Sequence, residues 1–295
     1  MYSGSGDAFA ARTLSWVDRT GSATAIPAPA RTYFYVRISP DGRRLSLDVR
    51  DAEEDIWIWD LERETITRLT DRPGADQYGL WTLDQRVVFT SAAKGRMELF
   101  QHRPDGVGQP QQLTDMTGAQ EKLTLFPNAI TRDGKVIARA ARLGRSNDLF
   151  LIDPNGDRRP TLLLSTEHDE RNATLSPDGR FMAFESDLSG RGEVYVRPFP
   201  NVNDGQWQVS TGGGAEPLWS PTGREIFYVA GNRLMTVPVD TSRDIVLQKP
   251  MQLFEVTPYY FGGVGRNYDV TGDGMRFAMV TNPVNKDSAT APLSC

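Results

Sequence analysis

The chain has 295 residues, 39% of them apolar and 9% aromatic, which is enough for a large core and argues against global disorder. Its net charge of −5 supplies neither the basic field that nucleic acid requires nor a basic face for an anionic membrane. No run approaches the roughly 18 apolar residues that span a bilayer, and the single cysteine, Cys295, makes no internal disulfide and no thiolate metal site.

The first residues, Met1-Tyr2-Ser3-Gly4-Ser5-Gly6-Asp7, show neither the basic nor the apolar region of a signal peptide. Residues 1–12 read as disordered or as the start of a fragment. Two strands follow, at 13–18 and 23–27, without a hairpin of their own. Then a hairpin signature begins to recur. Ser39-Pro40-Asp41-Gly42 is a turn in which Pro sets φ, Asp bonds locally and Gly accepts φ > 0, and strand-prone residues flank it. Versions begin at Ser39, Thr82, Thr131, Ser176, Ser220 and Thr271, at intervals of 43, 49, 45, 44 and 51 residues. That spacing is the length of a four-stranded propeller blade.

Aligning the six turns reveals fixed columns. The residue before the Ser/Thr is Ile38, Trp81, Ile130, Leu175, Trp219 or Val270; six positions after it stands Leu45, Val88, Ile137, Met182, Ile226 or Phe277. Apolar columns on both arms predict that the same hairpin faces are buried in every repeat. A third strand follows at 55–60, 98–100, 148–152, 193–196 and 233–235, and a fourth at 66–70, 111–114, 161–165, 207–210 and 251–255. Helical signals are nearly absent; residues 118–123 could hold one turn. The sixth hairpin has a strand at 276–280 and then a polar tail, residues 282–295. The two N-terminal strands therefore complete the last blade and close the ring. The predicted fold is all-β, a six-bladed propeller of four-stranded antiparallel blades over residues 13–281, monomeric as a domain.

The SPDG turns, Asp55-Ile56-Trp57-Ile58-Trp59-Asp60-Leu61 and Thr67-Arg68-Leu69-Thr70 resemble the WD-repeat-like propeller repeat of the TolB family. Leu14-Ser15-Trp16-Val17-Asp18-Arg19, the stretch from Gly213 to Ser220 and Tyr268-Asp269-Val270-Thr271 resemble more closely the propeller attached C-terminally to bacterial serine/threonine protein kinases. This resemblance implies a non-catalytic module that binds a protein, peptide or small ligand in an envelope or signalling setting. It marks the fold better than the function.

Motifs that would carry chemistry fail on spacing. In His102-Arg103-Pro104-Asp105 a Pro separates Arg from Asp, so it is no kinase catalytic loop, and no DFG occurs. Ser5 between Gly4 and Gly6 is not a nucleophile elbow. His102 and His168 are the only histidines and fall in different repeats, too few for a zinc site. Asp153-Pro154-Asn155-Gly156-Asp157 begins like a calcium loop, but Leu164 occupies the place of its bidentate acid, so a hairpin turn is the better reading. Gly212-Gly213-Gly214 precedes a strand rather than a helix and reads as a blade connection rather than a phosphate cradle. Arg43, Arg86, Lys135, Arg180 and Arg224 follow the turns as a basic row, offset by Asp41, Asp84, Asp133 and Asp178.

The remaining candidate is the mouth of the central channel, opposite the turn tips. Four residues before each Ser/Thr stand Tyr35, Tyr78, Pro127 with Asn128 beside it, Asn172, Glu216 and Asn267. Entering the innermost strands, these residues should converge on the axis. Ordinary polar lining of a rim accounts for them. As a site, Tyr35, Tyr78, Asn128, Asn172, Glu216 and Asn267 would suit a peptide or small ligand. The alternatives are a calcium-type cation held by Glu and Asn oxygens in a hydrolase or lactonase, and the gating propeller of a prolyl-oligopeptidase-type peptidase. No cofactor is predicted otherwise.

Overall fold

A computed structural model describes residues 10–283 apart from 94, 118–122 and 142–145. The helical turn considered near 118–123, Ser5 and Cys295 therefore lie outside the described residues, as do most of the two terminal segments. Among the described residues there is no helix. The strands group into six antiparallel sheets arranged as six blades. Blade 1 comprises Tyr33–Ile38, Arg44–Arg50, Glu54–Asp60 and Thr65–Arg68, from the innermost strand outward. Blade 2 opens on Asp76–Trp81, blade 3 on Thr124–Ile130, blade 4 on Arg171–Leu175 and blade 5 on Ala215–Trp219. Blade 5 departs slightly from the pattern: both Val246–Leu247 and Met251–Glu255 pair with its long third strand, Arg233–Asp240.

Blade 6 is assembled from both ends of the chain. Tyr268–Val270 and Arg276–Thr281 form its inner half, Arg12–Asp18 and Ala23–Arg31 its outer half. The seam is a continuous antiparallel ladder from Thr13 opposite Thr281 to Asp18 opposite Arg276. The predicted ring closure is thus made by backbone hydrogen bonds. Arg19 adds a bridge to blade 5, with Nη1 and Nη2 each 2.8 Å from a carboxylate oxygen of Glu225.

The core lies between blades. The column six residues after each turn is buried throughout: Leu45, Val88, Ile137, Met182, Ile226 and Phe277 are at most 1% exposed. Each lies on a second strand and packs against a neighbouring blade. Ile226 joins Phe181 and Ala183 of blade 4; Met182 joins Ile137 and Leu149 of blade 3; Leu45 joins Leu14 and Val280 of blade 6. Burying such side chains contributes roughly 1.5–3 kcal/mol each. Stability therefore accrues at the junctions, and no blade is independent of its neighbours. The column before the turns is mixed: Trp81, Trp219 and Val270 are buried, whereas Ile38, Ile130 and Leu175 are partly so.

The turns follow one plan. The N–H of Gly42, Gln85, Gly134, Gly179, Gly223 or Gly274 donates to the Ser/Thr carbonyl three residues back at 2.8–3.1 Å. In the fifth repeat Ser220 pairs with the Thr222 hydroxyl at 2.9 Å; in the other five turns the Ser/Thr hydroxyl donates to the turn Asp, at 2.6 Å from Ser176 to Asp178 and from Thr271 to Asp273. That Asp also pairs with the basic row at Arg86, Lys135 and Arg180, which are local partners rather than a free cationic ring. Asp153 accepts the N–H groups of Asn155 and Gly156, the hairpin turn predicted there.

Gln85 sits at φ 65° where the other five repeats have Gly. A non-glycine residue pays about 1 kcal/mol for that conformation. Gln85→Gly should stabilise the protein by about that amount in urea denaturation; a loss of stability would mean that the Gln side chain makes up for the strain.

Candidate functional site at the channel mouth

The mouth is built on a bulge. The first and second strands of blades 1 to 5 slip register three to five residues before the turn, between Tyr33 and Tyr35, Gln77 and Leu80, Pro127 and Ala129, Arg171 and Thr174, and Ala215 and Leu218. In three blades the bulged residue has left-handed φ: Tyr78 at 59°, Asn172 at 55° and Glu216 at 54°. Asn tolerates this region; Tyr and Glu do so at a cost of roughly 1–2 kcal/mol. A bulge turns an N–H out of its own ladder, and here it meets an acceptor on the preceding blade. Tyr78 N–H donates to Asp48 Oδ2 at 3.0 Å and Glu216 N–H to Glu185 Oε2 at 3.2 Å; just before the inner strand of blade 6, Asn267 N–H donates in the same way to Glu216 Oε2 at 2.7 Å.

The six residues predicted for the mouth separate into two groups. Tyr35 and Tyr78 stack at 4.7 Å between ring centroids, with their hydroxyls 3.4 Å apart, and Phe126 meets Tyr78 edge-on at 4.9 Å. Phe34, Tyr260 and the guanidinium of Arg50, 4.1 Å from the Phe34 ring, extend this aromatic arc over blades 1 to 3. Asn172, Glu216 and Asn267 lie together across blades 4 to 6. Asn172 Nδ2 donates to Glu185 Oε2 at 2.9 Å, and Asn267 Nδ2 donates to Phe34 O at 3.1 Å, linking blade 6 back to blade 1. Asn128 stands between the groups, its Oδ1 accepting Ala173 N–H at 3.3 Å. The amide oxygens are thus engaged within the protein, that of Asn128 by Ala173 N–H and that of Asn267 by Gly262 N–H. Among the described residues, no three His, Cys, Asp or Glu side chains gather as a metal site.

A cleft of about 200 Å³ opens beside the second group. Its polar wall is Arg171, Asn172, Glu185 and Glu216, and its opposite wall is Phe261 to Gly265. Arg171 is fixed by Glu185 at 2.7 Å and Asp169 at 3.0 Å. Sequence reading missed three contributors. The acids Asp48 and Glu185 stand nine residues after their turn Ser, but the other repeats have Ser91, Ala140, Val229 and Val280 there, so no acidic column marks them. Arg171 precedes a predicted rim residue. The loop 257–267 carried a signal in Tyr259-Tyr260-Phe261-Gly262-Gly263-Val264-Gly265, aromatic residues running into glycines.

The histidines stay outside this site. His102 ends a third strand, its Nδ1 2.9 Å from Arg103 O, and His168 lies in a connection 3.5 Å from Asp187.

With this geometry in view, comparisons with known proteins can be weighed. No family model matches the chain. The uncharacterized peptidase YuxL of Bacillus subtilis is 27% identical over 157 residues, 52% of this chain, and the match spans 22% of that protein's length. The structure of a putative TolB from Agrobacterium tumefaciens superposes with a TM-score of 0.71 at 17% identity, covering 93% of this chain and 99% of that one. TolB from Acinetobacter baumannii gives 0.59 at 18%, covering 92% and 64%. The chain is a six-bladed β-propeller with TolB-like structural neighbours. At these identities the likeness establishes the fold. No helix of the described residues is long and apolar enough to cross a membrane.

Burial pushes the Glu216 carboxyl up to about 8; the Asn267 N–H, Arg37 and Arg266 pull it down, and Glu185 pushes it up further. Asp269 lies on the same side, beside Arg37 and Arg266. Because the folded value exceeds the ordinary 4.5, the folded protein holds a proton that the unfolded chain has released. Stability therefore falls as pH rises through that window, and the penalty is complete above about 8. Glu216→Gln keeps an acceptor for Asn267 N–H and removes the charge. The melting temperature of the variant relative to the native protein should be unchanged near pH 5 and higher by several degrees at pH 9, on the order of a few kcal/mol. A difference independent of pH would contradict the assignment.

Proposed function

We propose that this propeller is a non-catalytic binding module that takes a protein or peptide segment at the channel mouth, where a small ligand would find the same groups. The observation that carries the reading is the cleft beside Asn172 and Glu216: a concave site with fixed polar groups on one wall and Phe261 and Val264 on the other. Arg171 can donate to a carbonyl or carboxylate, and the carboxyls of Glu185 and Glu216 can accept from an N–H. An extended chain offers both groups at every residue. The rim polar groups are already held by inter-blade hydrogen bonds, which preorganises the site for recognition.

Two likenesses bear on the parent protein. The resemblance of residues 14–19, 213–220 and 268–271 to kinase-attached propellers supports a role as the sensor or interaction part of a larger kinase-type protein. The match to the Bacillus subtilis peptidase supports a second reading, a propeller gating a peptidase domain. In both, the mouth is the face that meets the ligand.

Panning a random-peptide library on the propeller tests the reading. Selected peptides should lose about tenfold in affinity, about 1.4 kcal/mol, on Val264→Arg and on Arg171→Ala, and bind unchanged to Leu83→Ser at a turn tip on the other face. Peptides that lose affinity on Leu83→Ser instead, or a library that yields no binder, would contradict it.

A further inference from the structure

The connection from blade 5 to blade 6 is long, as is 113–123 between blades 2 and 3, of which 118–122 lie outside the described residues. Residues 256–267 span the gap between Met251–Glu255 and Tyr268–Val270, whereas 69–75, 165–170 and 209–214 make the corresponding connections with six or seven residues. The extra length carries the chain over the mouth. Its two ends are tied down. Tyr260 N–H donates to Val280 O at 2.8 Å, Asn282 Nδ2 to Tyr259 O at 2.9 Å, and Gly262 N–H to Asn267 Oδ1 at 3.1 Å.

The apex is held differently. Among the described residues, the backbone of Gly263, Val264 and Gly265 makes no hydrogen bond. It rests on the aromatic arc instead. A Cβ at Gly263 would lie 2.3 Å from the Tyr35 hydroxyl, and one at Gly265 would lie 2.8 Å from Tyr78 Cε1 and 2.9 Å from Tyr35 Cε1. Only glycine lets a backbone approach two rings that closely. Beneath it Tyr35 is 2% exposed, while Val264 above is 36% exposed. A segment bound by packing alone, without backbone hydrogen bonds and with its apolar side chain partly exposed, opens at low free energy.

We propose that residues 257–267 form a displaceable strap, a self-ligand on the aromatic half of the mouth, and that the partner's extended, glycine-bearing segment takes its place over Tyr35 and Tyr78. The ends of the strap stay anchored at Tyr260 and Asn267 while the apex lifts, which joins the aromatic arc to the cleft as one groove. The partner's identity rests on the mouth being the binding face. Opening of the strap does not, because it is measured without a ligand.

Hydroxyl-radical footprinting read by mass spectrometry provides the test, with Tyr33 and Tyr268, both fully buried, as internal references. In the native protein Tyr35 should be labelled at least about tenfold faster than either reference, since it needs only local opening. Gly265→Ala, which cannot seat the apex, should raise Tyr35 labelling further and leave the references alone. A free peptide of residues 258–267 should then restore protection in that variant, and a scrambled peptide should not. Tyr35 labelled as slowly as Tyr33 and Tyr268 in the native protein would overturn the strap, whether or not Gly265→Ala folds. Opening without protection by the 258–267 peptide would overturn its role as a self-ligand. Loss of the peptide-library binders with an opening strap would count against the binding reading alone.

Discussion

The ring depends on one contact made repeatedly: a side-chain acceptor of one blade takes a backbone N–H of the next blade's inner strand or its entrance, at a bulge in the case of Tyr78, Ala173 and Glu216. Asp48 does this for Tyr78, Glu185 for Glu216, Glu216 for Asn267 and Asn128 for Ala173. Asp269 does it for Ile38 N–H at 2.8 Å, across the seam between the last blade and the first. Buried N–H groups need partners, and charged acceptors make the stronger bonds. The apolar clusters press the blades together, but they are non-directional. The acceptor–amide contacts set the angle at which each inner strand meets the axis.

That arrangement explains the composition of the mouth. A left-handed residue at the entrance of an inner strand is costly for Tyr78 and Glu216, and it persists because the N–H it exposes is captured by the neighbouring blade. The same residues then present their side chains to the axis. Glu216 combines both tasks, since its N–H is held by Glu185 and its carboxyl oxygen holds Asn267. Its raised pKa follows from taking a structural acceptor deep into the ring. Scaffold and candidate site are therefore one set of atoms, and a ligand there would meet groups whose positions are already set.

The fold was legible because a propeller writes itself six times. One hairpin with Pro, Asp and Gly is a weak signal, but six at nearly constant spacing, with Leu45, Val88, Ile137, Met182, Ile226 and Phe277 in one column, leave little else that could bury those faces. Gln85 at positive φ follows from the same alignment, because the position is defined by its equivalents. The site was only partly legible, for a physical reason. Columns report what every blade shares, whereas a binding face arises where blades differ. The rim candidates divide into an aromatic arc and a polar cleft according to their position in the ring, which no column records, and the 257–267 connection belongs to a single junction.

Hydrogen exchange at the Tyr78 amide tests this account most directly. In the native protein it should exchange only with global unfolding, and Asp48→Ala should release it to fast local exchange while the Glu216 amide, held by Glu185, stays protected. Fast exchange of the Tyr78 amide in the native protein would show that the acceptor contacts do not hold the ring.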